Sequence, residues 1–276
     1  MVVHVGADHD HDRAGHPDGH RARAVHLARH PGWRREGLTP PIAPASGPSS
    51  GRPIIEAVAH SRPPIPDAIA RTGVIAIGRR LAPGDVLPIA AALIRGGVEA
   101  FEITMGSEGD ATLDAIESLS RDLGRAGRLL VGAGTVLDRP SAERAVAAGA
   151  RFVVMPHLDE SLVRWATEQE VPVFPGAFTP TEILAAWRAG ASAVKLFPAL
   201  VAGPAFVREL RGPFPDIPLI PTGGVSVESA EEFVAAGAVA VGLGSWLMAG
   251  RDVTLVESRA RSAVEAVARA RSGVRL

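Results

Sequence analysis

From Gly73 onward, short apolar runs alternate with longer amphipathic stretches, and no other feature constrains the fold as much. The runs that read as strands are Val74–Ile77, Val98–Thr104, Leu129–Ala133, Phe152–Met155, Val171–Phe174, Ala193–Phe197, Leu219–Pro221 and Ala238–Leu243. Helical patterns lie between them over Asp85–Arg95, Asp110–Leu123, Pro140–Ala148, Asp159–Glu168, Pro180–Arg188, Pro204–Leu210 and Val227–Ala236, with a last one from Val253 to about Arg271. Pro or Asp opens several of these stretches. Ala-Gly closes three, at Ala148-Gly149, Ala189-Gly190 and Ala236-Gly237. Strands joined through helices must run parallel, with both faces covered. Eight such units in roughly 200 residues predict an α/β chain folded as a (β/α)8 TIM barrel. Asp67–Arg71 is expected to form a short helix closing the barrel floor. A doubly wound open sheet would call for a Gly-rich nucleotide loop after the first strand. The sequence there is Gly78-Arg79-Arg80-Leu81-Ala82-Pro83, which lacks that motif.

The first 65 residues break the pattern. Seven of the nine histidines lie between His4 and His30, interspersed with Arg, Gly and Pro, and no strand or helix period persists. Such a segment buries too little apolar surface to offset its ordering entropy. Residues 1–65 are therefore expected to be a disordered His/Pro-rich extension, with one short helix near Ala22–Ala28, and residues 66–276 to be the barrel domain. His9-Asp10-His11-Asp12 reads either as a weak metal site or as a solvated tail. The formal net charge of -1 gives no electrostatic reason for a nucleic-acid or anionic-membrane partner. The absence of cysteine excludes disulfides, thiolate metal sites and cysteine nucleophiles. No apolar run reaches the ~18 residues of a membrane-spanning helix, and no apolar signal-peptide core follows the first residues. The expectation is a soluble cytoplasmic protein.

Lys195 is the residue out of place. It lies inside Ala193-Val194-Lys195-Leu196-Phe197-Pro198, an apolar strand stopped by proline. An unpaired buried charge is costly, so such a lysine is driven toward its neutral form, and a neutral amine attacks carbonyl carbons. The plainer alternative is a lysine that snorkels from an edge strand or pairs with a core carboxylate. Strand alternation bears on the choice. In Ala100-Phe101-Glu102-Ile103-Thr104, bulky Phe101 and Ile103 suit the helix layer, which turns Glu102 and Thr104 to the axis. In Val194-Lys195-Leu196 the same logic turns Lys195 inward. Carboxylate and amine then share the C-terminal end of the barrel, the active end of this fold. Stability alone is a weak reason to retain such a pair. It is the minimum for Schiff-base chemistry, in which the lysine attacks and the carboxyl group moves protons.

Further polar groups and turns collect at that end. Thr135 follows the third strand, Pro156-His157 the fourth and Pro175-Gly176 the fifth. Thr222-Gly223-Gly224 follows the seventh, and Gly242-Leu243-Gly244-Ser245 the eighth. Glycines after the last two strands let backbone amides approach an anion, the usual phosphate site of barrel enzymes. His157 reads as a rim histidine or a proton carrier. Asp138 and Asp159 read as helix N-caps.

Together these residues resemble the 2-keto-3-deoxy-6-phosphogluconate (KDPG) and 4-hydroxy-2-oxoglutarate aldolases, class I lyases of the Entner–Doudoroff type. The resemblance spans roughly Gly73 to Trp246. It is carried by Phe101-Glu102-Ile103-Thr104, Val131-Gly132-Ala133-Gly134-Thr135-Val136-Leu137, Phe174-Pro175-Gly176, Val194-Lys195-Leu196-Phe197-Pro198-Ala199, Pro221-Thr222-Gly223-Gly224-Val225 and Gly244-Ser245-Trp246. It implies that Lys195 is the Schiff-base lysine and Glu102 the general acid/base. Thr135 would hold the pyruvyl carboxylate, with Pro156 also at the substrate and Phe197 packed beside the lysine. Thr222 would bear on facial selectivity at the aldehyde carbon. Gly223, Gly224, Gly244 and Ser245 would form the phosphate end. It further implies a homotrimer acting on a small keto acid, without metal or cofactor. One position departs from the pattern. Many KDPG aldolases carry a carboxylate-binding arginine four residues after the glutamate, where this chain has Gly106. Arg79 either replaces it, through bidentate geometry, or is a solvated loop residue. Two other readings stand beside the aldolase. One is a phosphate-binding barrel isomerase or synthase in which Lys195 is an electrostatic anchor. The other is a non-catalytic metal- or partner-binding protein served by its histidine tail.

Overall fold

The computed structural model describes residues 62–106 and 110–273. The expected extension up to residue 61, its His9-Asp10-His11-Asp12 cluster and the short helix near Ala22–Ala28 lie outside the described residues. Arg62 to Ile65, placed in the extension by the sequence pattern, pack on the barrel. The Arg62 guanidinium sits 3.1 Å from the centre of the Trp187 ring and donates to the Trp187 carbonyl at 2.8 Å. Ile65 packs against the apolar cluster inside the barrel floor.

The strands are β1 Val74–Gly78, β2 Ala100–Thr104, β3 Leu130–Gly134, β4 Val153–Val154, β5 Val173–Phe174, β6 Gly176–Ala177, β7 Val194–Leu196, β8 Leu219–Pro221 and β9 Val241–Leu243. All pairings are parallel. Six strands pair in the order β5-β4-β3-β2-β1-β9 and three in the order β6-β7-β8. The two sheets meet on both sides. Pro175 separates β5 from β6 because it has no N–H for the ladder, yet its carbonyl accepts from Lys195 N at 2.9 Å. A bridge between Thr222 and Gly242 joins β8 to β9. The nine stretches thus make the eight strands of a closed TIM-type barrel.

Around it run α1 Asp67–Thr72, α2 Pro83–Arg95, α3 Asp110–Leu119, α4 Arg139–Ala147, α5 Glu160–Glu168, α6 Pro180–Ala189, α7 Ala199–Leu210, α8 Val227–Ala235, α9 Ser245–Met248 and α10 Val253–Ser272. Asp138 accepts from Ser141 N at the start of α4, and Asp159 from Ser161 N and Leu162 N at the start of α5, both at N-cap positions. Helix α7 begins five residues before the expected Pro204. Gly203, at φ 71°, breaks it into a first turn and a main piece. Helix α9 was not expected, since four residues are too few to show a period. Among the described residues, no helix is long and apolar enough to cross a membrane.

Two apolar layers follow from strand alternation. Val74, Phe101, Ile103, Val131, Val153, Val194, Leu196 and Val241 face the helices. Ile75, Ala100, Phe152, Val154, Phe174, Ala193, Ile220 and Ala240 fill the lower barrel, with Ile69 of α1 closing the floor. The Phe152 and Phe174 rings lie 5.7 Å apart. Gly132 makes room for Phe152, whose ring would lie 2.4 Å from a Cβ there. Replacing Phe152 by alanine should cost about 3–5 kcal/mol of stability. Leu200→Ala, at a residue 75% exposed, should cost less than about 0.5 kcal/mol. Urea unfolding of both variants checks the contrast; equal losses would place the core elsewhere.

Candidate active site

Lys195 is 5% exposed and Glu102 is 2% exposed, and both project into the barrel from the middle of β7 and β2. Their outward neighbours, Val194, Leu196, Phe101 and Ile103, are packed under the helices. The inward direction of both polar groups is therefore fixed by the apolar layer behind them. Neither takes part in a salt bridge among the described residues. They act on each other through space. Glu102 lies across Gly134 of the neighbouring strand, where a Cβ would fall 1.6 Å from its carboxylate oxygen. Thr222 similarly lies across Gly242, where a Cβ would meet its Oγ1 at 2.4 Å.

Above Lys195 opens a cavity of about 660 Å³. Thr135, Pro156, Phe197 and Arg79 border it with Lys195, and the Lys195 Nζ lies 5.1 Å from the centre of the Phe197 ring. Thr222, Gly223 and Gly224 border it from the turn after β8, and Gly244 and Ser245 from the turn after β9. Every residue to which the resemblance gives a catalytic or substrate role is at this cavity except Glu102, which is buried. His157 does not border it. Arg251 does, and so does Arg80. No local sequence signal marked Arg251, and Arg80 was visible only as part of the Arg79-Arg80 pair. Among the described residues that line the cavity, Arg79, Arg80 and Arg251 are cationic, Lys195 supplies an amine, and none is a carboxylate. Such a lining attracts an anionic ligand. A second cavity, of about 640 Å³, opens at the other end of the barrel between Arg71, Arg121 and Arg151. It contains neither Lys195 nor Glu102.

The family model described as KDPG and KHG aldolase matches residues 66–267. The chain belongs to this aldolase family. It is 41% identical over 187 residues to 2-dehydro-3-deoxy-phosphogluconate aldolase of Pseudomonas aeruginosa, covering 66% of this chain and 83% of that one. Among solved structures, a cube-shaped, highly porous protein cage designed by fusing symmetric oligomeric domains is 32% identical, with a TM-score of 0.67, covering 72% of this chain and 73% of that one. A KDPG aldolase from Legionella pneumophila, with pyruvate captured as a covalent carbinolamine intermediate, is 28% identical. Its TM-score is 0.65, and 71% of this chain and 96% of that one are covered.

The electrostatics of this aldolase fit an amine nucleophile beside a proton carrier. Burial pushes Lys195 below its ordinary value, the positive charge of Arg79 pushes it the same way, and Glu102 opposes both. Burial pushes Glu102 above the ordinary carboxylate range, and the positive charges of Lys195 and Arg79 pull it back. The two groups are thus moved toward each other on the pH scale, one toward free amine and the other toward carboxylic acid. The acid limb of pyruvate-adduct formation should lie well below the 10.5 of an ordinary lysine. Arg79→Gln removes a positive charge that disfavours the ammonium, so the Lys195 pKa should rise and that limb should move to higher pH. The pH dependence of borohydride-trapped adduct in the two proteins measures it. A shift to lower pH would contradict this coupling.

Proposed function

We propose that Lys195 is the Schiff-base lysine and Glu102 the general acid/base of a class I aldolase. The reaction is reversible cleavage of 2-keto-3-deoxy-6-phosphogluconate, or a related 4-hydroxy-2-keto acid, to pyruvate and an aldehyde. The observation that carries the reading is the buried amine of Lys195 opening onto a cation-lined cavity with Glu102 alongside it. The Lys195 amine attacks the C2 carbonyl to give a carbinolamine, and the Glu102 carboxylic acid gives its proton to the departing hydroxyl, so that water leaves and an iminium and a Glu102 carboxylate remain. Glu102 takes the proton of the 4-hydroxyl group as the C3–C4 bond breaks. The bonding electrons move into the iminium, giving an enamine and releasing the aldehyde. Protonation at C3 and hydrolysis of the imine release pyruvate and restore the amine. The iminium is itself the electron sink, so the reading calls for no resident metal or cofactor.

The remaining residues divide along the substrate. Thr135 and Arg79 hold the pyruvyl carboxylate, and Arg79 takes the place of the arginine missing at Gly106. Phe197 and Pro156 pack beside the reacting carbons, and Thr222 faces the aldehyde carbon. Gly223, Gly224, Gly244 and Ser245 receive the phosphate through backbone amides and the serine hydroxyl. The reading includes a homotrimer, and the similarity to a designed cage built from symmetric oligomeric domains supports an oligomer. It also places the protein in the cytoplasm, where charged, membrane-impermeant sugar-acid phosphates are retained. The test is pyruvate release from the keto acid, followed by a coupled dehydrogenase. Lys195→Met should abolish turnover, and Glu102→Gln should slow it about a hundredfold or more. Wild-type turnover in Glu102→Gln would remove Glu102 from the mechanism.

A further inference from the structure

Among the described residues, four that are not glycine have positive φ, and three of them border the active-site cavity: Arg80 at 50°, Thr135 at 55° and Arg251 at 53°. L residues adopt this conformation uncommonly, and such residues gather where a ligand must be met in a set geometry. Thr135 already has a place at the carboxylate. The two arginines have none.

They come from the first and last βα units of the chain, Arg80 from the turn after β1 and Arg251 from the turn after α9. They meet because β1 pairs with β9. The Arg251 guanidinium donates to the Arg80 carbonyl at 2.7 Å, and its other terminal nitrogen lies 3.5 Å from the Asp85 carboxylate. Arg251 therefore braces the turn that carries Arg80. Arg80 itself pairs with no carboxylate among the described residues. Arg79 acts electrostatically on both Glu102 and Lys195. Arg80 borders the cavity beside the strand pair β1–β9, whose turns also carry Gly244 and Ser245.

We propose that Arg80, braced by Arg251, binds a terminal phosphate dianion and makes this chain selective for phosphorylated over unphosphorylated aldehyde partners. The proposal rests on the aldolase reading above and narrows its substrate class. A guanidinium presents paired donors to phosphate oxygens, and an exposed arginine without a carboxylate partner gives up no ion pair to do so. The brace holds the backbone of the turn from which the Arg80 side chain departs.

The test is aldol condensation of saturating pyruvate with D-glyceraldehyde 3-phosphate or with D-glyceraldehyde, read as the ratio of the two kcat/KM values. Arg80→Gln should lower that ratio about tenfold or more, through KM for the phosphorylated aldehyde. Arg251→Ala should lower it in the same direction. Arg251→Lys, which keeps a donor for the Arg80 carbonyl, should recover part of the loss. A ratio unchanged in Arg80→Gln, or equal losses with both aldehydes, overturns the proposal. Borohydride trapping of pyruvate on the same proteins separates the two levels. Trapping with an unchanged ratio removes the role of Arg80 alone, whereas no trapping in the wild type removes the aldolase reading beneath it.

Discussion

Holding an amine out of water is the constraint on which this structure turns. Lys195 sits on the inner face of a closed barrel with no salt-bridge partner among the described residues. Removing an ammonium from water costs several kcal/mol unless it is paired, so the free amine gains ground at that position. A nearby carboxylate would cancel the effect if it lay within ion-pair contact. Glu102 is near enough to act on Lys195 but does not close on it, and Arg79 pushes the amine further toward its neutral form. An apolar residue in place of Lys195 would satisfy the fold at least as well. Stability therefore gives no reason for its presence, whereas the proposed imine chemistry does.

The barrel supplies what that chemistry needs through the alternation of its strands. The outward residues of β2 and β7 are locked under helices, and this aims Glu102 and Lys195 at the same interior. Space for them comes from residues that carry no side chain. Gly134 yields to the Glu102 carboxylate, and Gly242 yields to Thr222. Below them the lower barrel is filled by Phe152, Phe174 and Ile69, so the site has an apolar floor and opens only upward. Above, three arginines and no carboxylate line the described part of the cavity. The result is a polar, cation-rich mouth over a dry base. That arrangement suits a substrate with anionic ends and a reacting carbonyl between them.

Much of this was legible in the sequence because its causes are local. Period-two alternation in Phe101-Glu102-Ile103-Thr104 and in Val194-Lys195-Leu196 showed which side chains turn inward. The βα repeat showed the barrel, and Asp138 and Asp159 announced the helices they cap. What was not legible depends on contacts between distant residues or on segments too short for a period. Arg251 reaches the Arg80 carbonyl across 171 positions, and Arg62 reaches Trp187 across 125, so no window of sequence contains either contact. The four-residue α9 and the break of α7 at Gly203 show no repeat. The Gly132-Ala133-Gly134 run was visible as a motif, but the reason for Gly134 appears only when β3 is set in register beside Glu102. Roles for individual site residues came from the family resemblance and from chemistry, since alternation reports direction and not function.

The central claim is that Lys195 forms the imine, and trapping tests it most directly. The protein would be incubated with pyruvate and borohydride, digested, and its peptides mapped by mass. The account predicts one reduced pyruvyl adduct, on Lys195, and none in Lys195→Met. An adduct on another residue, or no adduct on folded wild-type protein, would contradict it.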